Sequence, residues 1–251
     1  PRAFQGKGVT TWEGLIKSVR AKVKGTKVKI RLGASSGEWK AMVADEAART
    51  TFAKNIKTVL EKNKLDGIDL DFEWAENEKE YKDYSLAILK MREVLGDKYL
   101  FSVSLHPVCY KISKEAIEAV DFISLQCYGP SPVRFPIEKY CSDIQMVLEY
   151  GIPKEKLVAG VPFYGVTKDN SKKTEAYFNF VQNGLVTSPA QNEVIYQGDT
   201  YVFDGQDNIR IKTRYAKEQK LKGMMSWDLA TDLPLSDSRS LLKTMTEELR
   251  K

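Results

Sequence analysis

Short apolar runs alternate with longer stretches of helical period along most of the chain, a pattern that predicts repeated strand–helix units around a parallel sheet. Strands are expected at 27–32, 67–72, 100–105, 122–128, 157–162 and 223–227. Apolar residues at three- and four-residue spacing predict helices over 47–62, 79–95, 113–119, 138–150 and 209–220, with a last one at 241–249. Residues 10–24 read as one more helix, since Trp12, Leu15, Ile16 and Val19 share a face. Tyr150-Gly151-Ile152-Pro153 supplies a helix stop, glycine just past the end and proline beyond it. The segment 166–207 interrupts the alternation. Its Asn183-Gly184, Ser188-Pro189 and Gly198-Asp199 pairs, flanked by Val194-Ile195-Tyr196 and Tyr201-Val202-Phe203, predict an extended rim loop carrying a hairpin.

The strand 67–72 and its flanks carry the most chemistry. In Asp66-Gly67-Ile68-Asp69-Leu70-Asp71-Phe72-Glu73 alternate side chains point to opposite faces, so Ile68, Leu70 and Phe72 share one and Asp69, Asp71 and Glu73 the other. Acids on one face of a strand repeat every roughly 7 Å. Like charges at that spacing do not all ionise freely, so at least one of the three is expected to bind its proton more tightly than an isolated carboxyl. That is what a general acid needs near neutral pH. The bland alternative, a wet acidic edge strand, fits poorly with a strand embedded between apolar helices. Glu73, outermost at the carboxyl end, stands where active sites of parallel α/β barrels sit.

Composition narrows the classes. With 42% apolar and 29% charged residues in 251, the chain reads as one ordinary globular domain, 1–251, of the size of an α/β barrel. No apolar run approaches the roughly 18 residues of a membrane span. The net charge of +5 comes from scattered Lys and Arg; even the Lys-rich stretch 17–29 reads as a solvated helix face rather than a nucleic-acid patch. Three cysteines (Cys109, Cys127, Cys141) without C-x-x-C spacing and a single histidine, His106, argue against a zinc site and allow at most one disulfide.

The acidic stretch resembles the D-G-x-D-x-D-x-E signature of glycoside hydrolase family 18, the chitinase family. Lys154 through Gly165 resembles that family's seventh strand, and Tyr201-Val202-Phe203-Asp204 through Lys212, followed by Gly223-Met224-Met225-Ser226-Trp227, its approach to the eighth. The resemblance implies a (β/α)8 TIM barrel. The six readable strands are then its third to eighth, and the missing N-terminal units are expected upstream of Pro1. It implies hydrolysis of β-1,4 links in N-acetylglucosamine polymers by a retaining, substrate-assisted mechanism, an exception to the usual two-carboxylate scheme.

By the same resemblance Glu73 donates the proton, Asp71 orients the acetamido N–H, Asp69 shares a proton with Asp71, and Tyr128 hydrogen-bonds the attacking acetamido oxygen. Trp227 forms the floor under the reacting sugar. Gln126, Met225 and Tyr164, with Trp39 and Trp74 as flanking contacts, complete the substrate-binding set. No metal or cofactor is implied. The partner is chitin or a related oligosaccharide, neither nucleic acid nor membrane, and a secreted monomer is expected. Two departures stand out: the family's M-x-Y-D reads Gln126-Cys127-Tyr128-Gly129, losing a carboxylate that often meets the sugar, and its S-x-G-G is degenerate, read as Leu32-Gly33-Ala34-Ser35-Ser36-Gly37. The short rim insertion implies a shallow groove and endo-type action. An endo-β-N-acetylglucosaminidase of N-glycan cores shares the acidic strand, and a non-catalytic chitinase-like lectin is the remaining alternative.

Overall fold

The computed structural model describes residues 11–35 and 37–251; Pro1, and Ser36 of the degenerate motif, lie outside the described residues. The chain forms two compact units. One ends at Leu105 and takes up Cys109–Ile123; the other comprises His106–Val108 and Ser124–Lys251.

The first unit holds α1 (Trp12–Lys22), β1 (Arg31–Ala34), α2 (Trp39–Ala44), α3 (Glu46–Asn63), β2 (Gly67–Leu70), α4 (Glu78–Leu95), β3 (Leu100–Leu105) and α5 (Lys114–Ala119). The helices start where short polar side chains satisfy free backbone N–H groups: Asp45 accepts from Ala48, Asn77 from Glu80 and Ser113 from Ala116. β2 lies between β1 and β3, parallel to both, with Gly33 opposite Asp69 and Asp69 opposite Ser102. Ile68, Leu70 and Phe72 are buried, as the alternation requires. Beneath them Trp39 stacks on Phe72 (5.4 Å, 11°) and Tyr84 packs against both; such aromatic pairs add about 0.5–1.5 kcal/mol each beyond the area they bury.

The glycine that opens the acidic strand has a tertiary cause. A Cβ built on Gly67 would lie 1.9 Å from the carbonyl oxygen of Leu100, the residue paired with it on β3. Gly67→Ala must therefore push β2 and β3 apart. The expected cost is about 1–3 kcal/mol, read as a lowered midpoint in urea unfolding with an unchanged slope.

β4 (Phe122–Leu125) contributes its first two residues to the first unit and its last two to the second. The second unit continues with α6 (Ile137–Tyr150), β5 (Leu157–Pro162), β6 (Tyr164–Thr167), β7 (Thr174–Ala176), α7 (Tyr177–Gln182), β8 (Glu193–Tyr196), β9 (Asp199–Val202), α8 (Gln206–Glu218), β10 (Gly223–Trp227) and α9 (Leu241–Arg250). α6 ends at the anticipated glycine, Gly151, in the left-handed conformation. β10 runs parallel to β5, with Trp227 opposite Pro162.

Several expectations need correction. The segment 166–207 is not an extended loop. The hairpin is there as β8 and β9, but β6 and β7 join it in an antiparallel sheet of order β7-β6-β9-β8, with α7 between β7 and β8. Phe180 of α7 seals this sheet against Tyr196, Tyr201 and Phe203. β1 begins at Arg31, four residues late, because residues 27–29 are solvent-exposed and burial starts only beyond them. β4 stops at Leu125, where the Cys127 N–H turns back to the Leu125 carbonyl (3.0 Å). β2 stops at Leu70, although Asp71 N–H still reaches the Ala34 carbonyl at 2.9 Å. The short helix α2 was not anticipated.

Candidate active site

Each unit carries part of the expected residue set. In the first, the carboxylate of Asp69 is mostly buried and held on both oxygens: Ser102 donates to Oδ1 and Ser104 to Oδ2 at 2.7 Å. Behind Ser102 stands Arg31, whose guanidinium donates to the Ser102 hydroxyl, lies 4.0 Å from Asp69 and covers the ring of Phe122 at 4.6 Å. Burial pulls the Arg31 pKa down, and the charges of Asp69 and Asp121 work against that pull. Ser102 and Ser104 alternate within an otherwise apolar strand, so their shared face was visible in the pattern; Arg31, between Ile30 and Leu32, was the other available signal. Neither was singled out as part of the site.

Asp71, half-buried, and Glu73, exposed, follow β2 toward its carboxyl end. The backbone around Glu73 is tied down while its side chain is open. Trp39 Nε1 donates to the Glu73 carbonyl at 3.1 Å, and the Ala75 N–H donates to Cys109 Sγ at 3.1 Å. The Glu73–Trp74 peptide bond is cis. Burial raises the Cys109 thiol above its usual range. Tyr84, wholly buried, donates to the Leu70 carbonyl at 3.3 Å; burial first, and the Asp69 charge second, hold its hydroxyl well above the ordinary phenol range.

Trp39 is a correction. Expected as a flanking sugar contact, it is only 1% exposed, with its ring engaged by Phe72 and Tyr84. A sugar needs an open indole face, so Trp39 instead braces the backbone of Glu73. Trp74, at 36% exposure, keeps an accessible ring.

In the second unit, Gln126 and Tyr128 follow β4 and are buried. The Tyr128 hydroxyl donates to Met225 Sδ at 3.5 Å, and its ring meets Tyr164 edge-on at 6.4 Å. Gly160 makes room for this arrangement: a Cβ there would come within 2.9 Å of both the Tyr128 ring and the Met225 methyl, and 2.7 Å of the Leu125 carbonyl. Tyr164 donates to the Gly129 carbonyl at 3.3 Å. Trp227, at the end of β10 and 53% exposed, lines a cavity of about 250 Å³ with Tyr164, Glu175, Pro130 and Thr231. Glu175 is aimed by Asn179, whose amide donates to Oε1 at 2.6 Å. A broad, accessible indole beside hydroxyl and carboxylate groups suits a pyranose, which offers C–H bonds to the ring face and hydroxyls to the rim.

All three cysteines carry free thiols. Among the described residues no helix is long and apolar enough to cross a membrane.

Comparison with known proteins adds an independent line. The model of the glycosyl hydrolases family 18 matches residues 8–232. A probable chitinase 2 of Drosophila melanogaster is 23% identical over 273 residues, covering 82% of this chain and 56% of that protein, so the chain spans little more than half of that relative's length. Among solved structures, a chitinase from Bacteroides thetaiotaomicron superposes with a TM-score of 0.81 at 22% identity, covering 93% of this chain and 80% of the other. A chitinase-like agglutinin from Robinia pseudoacacia superposes with a TM-score of 0.78 at 19% identity, covering 94% and 84%. At these identities the superpositions establish a shared fold, one that a chitinase and a chitinase-like agglutinin both use.

Proposed function

Because the chain belongs to the glycosyl hydrolases family 18, we propose that it hydrolyses β-1,4 links between N-acetylglucosamine units of chitin or its oligomers, with Glu73 as the general acid. The observation that carries this reading is that Glu73 is exposed just beyond the carboxyl end of β2 while Asp69, within the strand, is anchored by Ser102, Ser104 and Arg31.

In the proposed reaction the sugar's own acetamido oxygen attacks its anomeric carbon. As the glycosidic bond breaks, the Glu73 carboxyl proton passes to the leaving oxygen, and the sugar becomes a cyclic oxazolinium ion. Water then adds to the anomeric carbon from the side the leaving group vacated, returning a proton to Glu73, so configuration is retained. Asp71 faces the acetamido N–H and offsets the positive charge of the intermediate, with Asp69 behind it. Tyr128 steers the attacking oxygen, and Trp227 carries the sugar ring. An attached nucleophile gains the proximity advantage without a covalent enzyme intermediate.

The test is incubation with chitotetraose and, separately, with an N-glycan, followed by mass analysis. Dimers and smaller oligomers from chitotetraose with the N-glycan intact is the expected result. Cleavage of the N-glycan between its two core N-acetylglucosamines, with chitotetraose intact, would move the activity to an endo-β-N-acetylglucosaminidase. Binding of chitotetraose with no cleavage of either would make the chain a lectin. The Robinia agglutinin's fold and the missing carboxylate at Gly129 are what favour that last outcome.

A further inference from the structure

We propose that His106, as a neutral imidazole protonated on Nε2, is a positioning residue for Tyr128. His106 is the only histidine in the chain and is buried. Its Nε2 lies 3.0 Å from the Tyr128 carbonyl oxygen, and the Val108 N–H donates to its Nδ1 at 3.2 Å. A carbonyl can only accept and an amide N–H can only donate, so the proton sits on Nε2 and the lone pair on Nδ1.

The ring thus grips the peptide that joins Tyr128 to Gly129, and Tyr164 grips the next carbonyl, that of Gly129. Gly129 lies against this clasp: a Cβ there would stand at ordinary contact distance, 3.7 Å, from His106 Nε2. With the backbone held at both carbonyls, the Tyr128 ring lies over Gly160 with its hydroxyl on Met225.

The surroundings keep the imidazole uncharged. Arg134 and Lys139 oppose a second proton; Asp143 favours one, but its carboxylate is engaged by Arg134 at 3.0 Å and Lys139 at 2.5 Å. Burial and then Arg134 bring the His106 pKa down from 6.5 to about 4. Protonation would set an Nδ1–H against the Val108 N–H, donor against donor, so either the ring or the Val108 backbone must move; the Nε2–H bond to the Tyr128 carbonyl by itself favours the charged ring, and a ring that turns away from Val108 gives that bond up. Since the folded state binds this proton less readily than the unfolded one, the stabilising contribution is present above about pH 6.5 and is lost as pH falls toward 4.

The consequence for turnover rests on the reading in which Tyr128 meets the acetamido oxygen, so the experiment has an arm that does not need turnover. Protein carrying 15N-histidine gives a single imidazole spin system, and 13C-tyrosine labelling, with Tyr128→Phe to assign the signal, reports on Tyr128. The expected spectrum at pH 7 shows Nε2 protonated and Nδ1 not. On acidification the Tyr128 resonance moves with the His106 midpoint near 4. His106→Ala should lower kcat on chitotetraose about tenfold, the scale of one lost hydrogen bond. His106→Gln, whose amide can donate to the Tyr128 carbonyl but does not titrate, should restore the neutral-pH rate and abolish the acid-induced shift of Tyr128. A cationic or Nδ1-protonated ring at pH 7, or a Tyr128 signal that ignores the histidine titration, overturns the assignment. A folded His106→Ala with wild-type kcat and KM does the same. If the unaltered protein cleaves nothing, the catalytic reading falls and the spectra alone decide this one; if the alanine variant fails to fold, the glutamine variant and the spectra still do.

Discussion

Glu73→Gln is expected to abolish measurable hydrolysis of chitotetraose, lowering kcat by about 10²–10⁴-fold, the usual contribution of a positioned general acid, while oligosaccharide binding persists. The amide keeps the size and hydrogen-bonding reach of the carboxyl but has no proton to give the leaving oxygen. The substitution is also a clean one. The Glu73 side chain is exposed, and what the local fold uses is the backbone carbonyl that holds Trp39, which the change leaves in place. Thermal unfolding should therefore move by no more than the roughly 0.5 kcal/mol typical of surface substitutions. Mass analysis of products, paired with calorimetric titration of the oligomer, checks both halves. Residual activity near wild type would remove Glu73 from the proposed role. Efficient cleavage of an oligomer lacking the acetyl group on the reacting sugar would leave an acid in place but dismiss acetamido assistance.

Lys212→Met should produce the largest loss of stability, about 3–5 kcal/mol, because it strands a buried carboxylate. Lys212 and Asp204 are both fully buried; the ammonium donates to the two Asp204 oxygens at 2.8 and 2.6 Å and to the Phe135 carbonyl at 2.8 Å, and it lies 5.4 Å from the centre of the Tyr140 ring. The three ammonium protons are thereby all committed. Against the 5–15 kcal/mol that holds a typical domain together, the loss is severe. The second variant Asp204→Leu, combined with Lys212→Met, removes both charges and should recover much of the loss, since well-packed apolar replacements of buried ion pairs are often neutral or better. Urea denaturation of the single and double variants gives the coupling energy; an additive result would mean that the pair is not acting as a pair.

What the sequence determined by itself is whatever depends on near neighbours along the chain. β3, β5 and β10 begin and end where alternation and turn residues place them, and α6 stops at Gly151, because periodicity and helix termination are local properties. Asp69 set against Ile68 and Leu70 follows from pleating within β2, and the family's motif was readable around it, while Asp71 and Glu73 lie beyond the strand's last residue.

Tertiary structure decided the rest. β4 falls short of its pattern where the Cys127 N–H turns back to the Leu125 carbonyl, β2 ends at Leu70, and α2 carries an indole whose partner, the Glu73 carbonyl, is 34 residues away. The same long-range bond turned Trp39 from a candidate sugar contact into a brace. Only in three dimensions does Gly67 acquire its reason, the Leu100 carbonyl on β3, or does a solitary histidine acquire a tautomer. Side-chain identity sets which contacts are chemically possible, but burial and partner geometry select among them, and both are contributed by residues distant in the chain.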